Sequence, residues 1–111
     1  MQKVITALRE FDSKRNWNTY DTLQTPQEKI DYMYQEIVNL LGELGEFANE
    51  VKKCRRDKTW NDAKLKEELT DTFIFLLKLA LVLKMDLTEE TIKKININEE
   101  RFKHLIVNRG E

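Results

Sequence analysis

Apolar side chains recur along this chain at helical spacing, and the recurrence divides it into four segments. Val4, Ile5, Leu8 and Phe11, with Ala7, predict a first helix over residues 2–14. Residues 16–22, Asn-Trp-Asn-Thr-Tyr-Asp-Thr, read as irregular chain, because such polar side chains bond locally to the backbone. Thr25-Pro26-Gln27-Glu28 is a strong start signal: an N-cap Thr, Pro in the first helical position and Glu three residues after the cap. The helix it opens is expected to reach about Arg55. Ile30, Met33, Ile37, Leu40, Leu41, Leu44, Phe47, Ala48 and Val51 form its apolar side. Gly42 and Gly45 interrupt that helix at a cost of about 1 kcal/mol each relative to Ala. Close approach of another backbone or of a ligand is the compensation they suggest.

Residues 56–61 form a connection, and Asn61 or Asp62 caps a third helix over 63–84. From Thr72 to Leu83 this helix is apolar nearly all round, which predicts a central, covered position. Asp86-Leu87-Thr88-Glu89 reads as a second capping box, opening a fourth helix to about residue 105. The last residues are expected to fray. The four segments predict an all-α, four-helix bundle in a single domain spanning residues 1–111.

Composition narrows the function classes. Lys plus Arg number 19 against 20 Asp plus Glu, for a net charge of −1, so no basic field exists for long nucleic acid. A single cysteine, Cys54, allows no internal disulfide and suits a reducing compartment. The longest apolar stretch, 73–83, contains Lys78 and is too short for a membrane span. A soluble, cytoplasmic protein without membrane or long nucleic-acid partners is the expectation.

The candidate chemistry lies in the carboxylates. Glu36, Asn39, Glu43, Glu46 and Glu50 are spaced three, four, three and four apart, on one stripe opposite the apolar side of the second helix. Like charges at these offsets repel by a few tenths of a kcal/mol per pair, which a bound cation relieves. An ordinary solvated acidic face is the bland alternative. Glu68 and Asp71, again three apart, stand just before the most apolar segment. Carboxylates at a buried edge need a cation, and oxygen-only ligands favour Mg²⁺, with Mn²⁺ as substitute, over zinc or copper. Lys78 lies on the same face as Asp71; it neutralises the cluster, contacts phosphate, or snorkels to solvent. Glu-x-x-His pairs are absent, which excludes a di-iron carboxylate bundle.

Leu41-Gly42-Glu43-Leu44-Gly45-Glu46-Phe47, followed by Glu67-Glu68-Leu69-Thr70-Asp71, resembles the all-α nucleoside triphosphate pyrophosphohydrolases of the MazG type. Gly42 replaces the first Glu of that family's doublet, and the Gly-Glu-x-Gly-Glu form is similar to its dCTP pyrophosphatase-like branch. Leu83-Lys84-Met85-Asp86-Leu87 resembles the family's helix connection. Lys94, Asn98, Arg101 and Phe102 resemble its closing motif, so the likeness spans about 28–103. The resemblance implies hydrolysis of a nucleoside triphosphate to monophosphate and pyrophosphate in nucleotide-pool house-cleaning. It implies Glu43, Glu46, Glu68 and Asp71 as metal ligands, with Glu43 or Glu46 also activating water. It further implies phosphate contacts from Lys94, Asn98 and Arg101, whose bland reading is a polar outer face, and assembly as a homodimer or homotetramer.

Trp17 and Trp60 fall in connections, where each can stack on a base or plug the core; family position favours Trp17 for the base. Lys53, Arg55, Arg56 and Lys58 complement the end of the second helix or steer substrate. His104 reads as a surface residue. A helical interaction module without catalysis is the competing function.

Overall fold

The computed structural model describes residues 1–107. Four α-helices follow one another: α1 Gln2–Ser13, α2 Pro26–Asp57, α3 Asp62–Val82 and α4 Leu87–Arg101. Short 3-10 turns occupy Thr19–Asp21 and Lys103–Leu105, and no strand occurs among the described residues. The architecture is all-α, as the periodicity predicts. The expectation for the fraying end concerns positions 108–111, which lie outside the described residues.

The helix boundaries follow local chemistry. At the start of α2 the capping box is complete. Thr25 Oγ1 accepts from the Glu28 backbone N–H at 3.1 Å, and Glu28 accepts from the Thr25 N–H at 3.0 Å. That backbone bond to Thr25 is the main reason the Glu28 carboxyl is held below its usual range. Lys58, left-handed at φ 54°, ends α2 two residues beyond the predicted Arg55. Asn61, rather than Asp62, caps α3 by accepting from the Lys64 N–H at 3.2 Å. Asp86 caps α4 through the Glu89 N–H at 3.0 Å. The predicted reach of α4 to 105 is corrected: the α-helix stops at Arg101 and the chain tightens into the 3-10 turn. Likewise, 16–22 is not wholly irregular, since Thr19–Asp21 closes a 3-10 turn.

The four-residue connection 58–61 turns α3 back along α2, and this hairpin is the main packing in the chain. The core sits at the C-terminal half of α3, where Leu77, Ala80, Leu81 and Val82 are buried. Tyr20, from the 3-10 turn, is buried among them, and Ile5, Leu8, Leu23, Tyr32 and Met33 pack around it. The apolar part of α3 is thus the centre of the molecule, as its composition predicts.

The orientation of α2 differs from what its pattern suggests. Of its acidic stripe, Glu36 is buried and Glu43 and Glu50 are half-buried, while Asn39 and Glu46 are exposed. Its apolar side is split: Met33, Leu40 and Phe47 are half-buried, Met33 against the core, while Leu41 is 60% exposed and Ile30, Ile37, Leu44 and Val51 are exposed as well. A Cβ built on Gly42 or Gly45 meets nothing within 4 Å, so within one chain neither glycine serves a close approach. Helix α4 packs chiefly with the turn that follows it. The radius of gyration, 18.0 Å, exceeds the roughly 13 Å of a compact chain of this length, so one chain leaves the bundle open.

Candidate metal centre and substrate cavity

Three of the four carboxylates read from the sequence converge. Glu43 on α2 and Glu68 and Asp71 on α3 each offer an oxygen, and these oxygens lie within 4.8 Å of one another. The i,i+3 spacing on α3 puts Glu68 and Asp71 on one face, and the hairpin brings Glu43 across from them. Glu68 is buried; Glu43 and Asp71 are half-buried. Burial, then the charges of Asp71, Glu68 and Glu46, push the Glu43 carboxyl above its usual range. Glu46 itself is exposed and stands outside the convergent group, although its charge reaches Glu43.

The geometry suits a divalent cation. Oxygens on opposite sides of an ion bound at about 2.1 Å stand about 4.2 Å apart, so small side-chain movements close the present spread. Among the described residues neither Glu43 nor Asp71 has a Lys or Arg within ion-pair distance. Glu68 is reached by the Lys64 ammonium at 3.0 Å.

Glu43 and Asp71 line a cavity of about 530 Å³ between α1, α2 and α3. Val4, Phe11 and Trp17 form its apolar wall, with Phe75 and Lys78 on α3. Trp17 leans on Phe11 with ring centroids 6.1 Å apart, and Arg15 covers the Phe11 ring at 3.8 Å. Trp60 lies near Phe47, Val51, Leu65 and Leu69 instead, its indole N–H donating to Asp62 at 3.3 Å. Of the two tryptophans, Trp17 stands at the carboxylate cavity.

Lys78 does not snorkel. Its side chain is 13% exposed, with the ammonium 3.8 Å from Asp12 Oδ2 and 5.3 Å from the Phe75 ring. Asp12 is 1% exposed and accepts the Tyr20 hydroxyl at 2.7 Å. Its Oδ1, like Glu36 Oε2, is buried without a hydrogen-bond partner. Burial pushes the Glu36 carboxyl up, with Lys78 and Asn39 opposing and Asp12 adding to the rise. Burial and the bond to Asp12 raise the Tyr20 hydroxyl, and burial with the Glu36 charge raises Tyr32. Sequence reasoning missed Asp12 at this knot. The available signal was its place on the apolar Ile5–Leu8 stripe, three and four residues along.

The remaining predicted residues lie elsewhere. Lys94 and Arg101 are exposed, and Arg101 stacks 5.0 Å over Phe102. Asn98 lines a shallow groove with Ile95, Phe102 and Ile106. None of the three lines the carboxylate cavity within one chain. The basic patch is partly consumed locally, Arg56 by Asp57 at 2.8 Å and Lys53 by Glu50 at 3.9 Å. His104 is exposed, as predicted, and Cys54 is a half-buried free thiol. No helix among the described residues is long and apolar enough to cross a membrane.

Residues 3–108 match the model of the family described as dUTPase. Comparison with curated proteins and with solved structures gave no match.

Proposed function

This chain belongs to the dUTPase family, and from that premise we propose that it is a metal-dependent hydrolase of nucleoside triphosphates. The reaction is a (deoxy)nucleoside triphosphate plus water to the monophosphate and pyrophosphate. The observation that carries this reading is the convergence of Glu43, Glu68 and Asp71 at the wall of a cavity that also holds Trp17 and Lys78. The family name makes dUTP the first substrate to test, and the Gly-Glu-x-Gly-Glu form of residues 42–46 makes dCTP the second. Nucleotide-pool house-cleaning in the cytoplasm is the cellular role such a reaction fits.

Glu43, Glu68 and Asp71 would hold Mg²⁺, for which Mn²⁺ would substitute, and Glu46, one turn from Glu43, would be the fourth carboxylate ligand. When bound, the cation offsets phosphate charge and lowers the pKa of a coordinated water. Glu43, at the cavity wall, is one carboxylate placed to take a proton from the attacking water. Glu46 is the other carboxylate able to do so. Trp17 offers an aromatic face to the base, and the Lys78 ammonium supplies positive charge on the same wall.

Lys94, Asn98 and Arg101 act on phosphate only if another copy brings them to the site, since α4 stands apart in one chain. The exposed apolar residues of α2, Leu41 foremost, form the surface that a homodimer or homotetramer covers. The test is release of pyrophosphate from a panel of nucleoside triphosphates with Mg²⁺, with and without chelator. Chelator-sensitive turnover of at least one nucleotide is expected. No turnover of any nucleotide at high protein concentration favours the helical interaction module instead.

A further inference from the structure

The three converging carboxylates are not equally provided with counter-charge. Glu43 and Asp71 have no cationic side chain within ion-pair distance among the described residues. Glu68, the most buried of the three, has Lys64 Nζ at 3.0 Å from Oε1. Lys64 stands one turn before Glu68 on α3, so the pair is made inside one helix and needs no other element. Glu67 and, across the hairpin, Glu50 add to the negative field around its ammonium.

The two partners differ in freedom. The Glu68 side chain is 9% exposed, while that of Lys64 is 43% exposed. A buried carboxylate costs free energy unless a cation accompanies it. Lys64 meets that need, yet its long, solvent-facing stem lets it leave without breaking another side-chain bond among the described residues. A divalent cation taking oxygens from Glu43, Glu68 and Asp71 adds positive charge beside Glu68, where a second, ammonium charge is unfavourable. The cation and Lys64 therefore compete for Glu68.

We propose that Lys64 is the internal counter-ion of the metal centre: its ammonium holds Glu68 in the metal-free chain and gives way when a divalent cation binds. This inference rests on the metal-site reading above. It makes Lys64 a residue that sets cation affinity without being a ligand. It also separates Lys64 from Lys53 and Lys66, whose partners Glu50 and Asp62 lie outside the convergent group.

The test is Mn²⁺ binding to the nucleotide-free protein, read from the electron paramagnetic resonance of free Mn²⁺. Wild type, Lys64→Met, Lys64→Arg and Glu68→Gln are compared, with far-ultraviolet circular dichroism confirming each fold. Removing the competing charge in Lys64→Met is expected to tighten Mn²⁺ binding about fivefold, the scale of a partly exposed ion pair. Lys64→Arg keeps the charge and stays near wild type, and Glu68→Gln weakens binding. Should Lys64→Met misfold, Lys64→Gln carries the same expectation. Equal or weaker binding in the neutral Lys64 variants overturns the counter-ion role alone. Absence of Mn²⁺ binding in wild type and neutral variants alike overturns the metal-site reading and this inference with it.

Discussion

The α2–α3 hairpin and α4 treat their charged residues in opposite ways. In the hairpin, two helices linked by four residues bring three carboxylates together without outside help. In α4, Lys94, Asn98 and Arg101 share a helix face but packing leaves them apart from the cavity. A motif within one hairpin is assembled by the chain's own turn. A motif on a helix that packs mainly with its own tail waits for another surface. A single chain accordingly brings three carboxylates and the aromatic wall at Trp17 to one cavity, while Lys94, Asn98 and Arg101 lie elsewhere.

The largest expected effect breaks the hairpin side of that contrast. Asp71→Asn, Glu43→Gln or Glu68→Gln should each lower turnover by about 10²-fold or more, the scale of several kcal/mol of charge stabilisation. Pyrophosphate release measures this, and an unchanged helical spectrum shows that the fold persists. Glu46→Gln sharpens the comparison: an equally large loss would place Glu46 among the ligands despite its exposed position. Trp17→Ala should raise KM about tenfold, within the range of one base–aromatic stack, whereas Trp60→Ala should leave KM unchanged.

The α4 side is tested through assembly. Leu41→Glu places a charge on the exposed apolar face of α2, so the single chain still folds. Light scattering should then show a smaller species. If α4 works only across an interface, the same variant should raise KM by about as much as Arg101→Ala, roughly tenfold for a lost charge-assisted bond. An unchanged KM in both variants would remove α4 from the site.

What was readable in the sequence was what depends on near neighbours. The Thr25–Glu28 box, the Asn61 cap and the Asp86 cap are set by residues three apart, and each forms. Glu68 and Asp71 share a face for the same reason. The facing of α2 was not readable, because its covered strip mixes Met33, Leu40 and Phe47 with Glu36, Glu43 and Glu50, and only the position of α3 decides which strip turns inward. Asp12 was missed because a carboxylate on an apolar stripe gains its meaning from Tyr20 and Lys78, 8 and 66 residues away.

A smaller effect is expected at the buried knot. The folded-state carboxyl of Glu36 lies above its ordinary value of 4.5. Its favourable contribution is therefore complete below the unfolded value and lost as pH rises through the folded one. At pH above its ordinary value the carboxyl is a cost to the fold, so Glu36→Gln should raise the melting temperature at neutral pH by about 2–4 °C. That gain should shrink toward pH 4.5, and thermal melts over this interval measure it.

The manner in which α1 is fastened has a consequence for motion. Two half-buried aliphatic side chains, Ile5 and Leu8, the Asp12 knot and the Arg9–Asp21 ion pair at 3.0 Å hold it to the rest. Segments with so few anchors open at lower free energy than a long hairpin. Backbone amides of residues 5–13 should exchange with deuterium well before those of 73–82. Loosening of α1 would move the wall at Phe11 and Trp17 like a door while leaving the converging carboxylates of the hairpin in place as its frame.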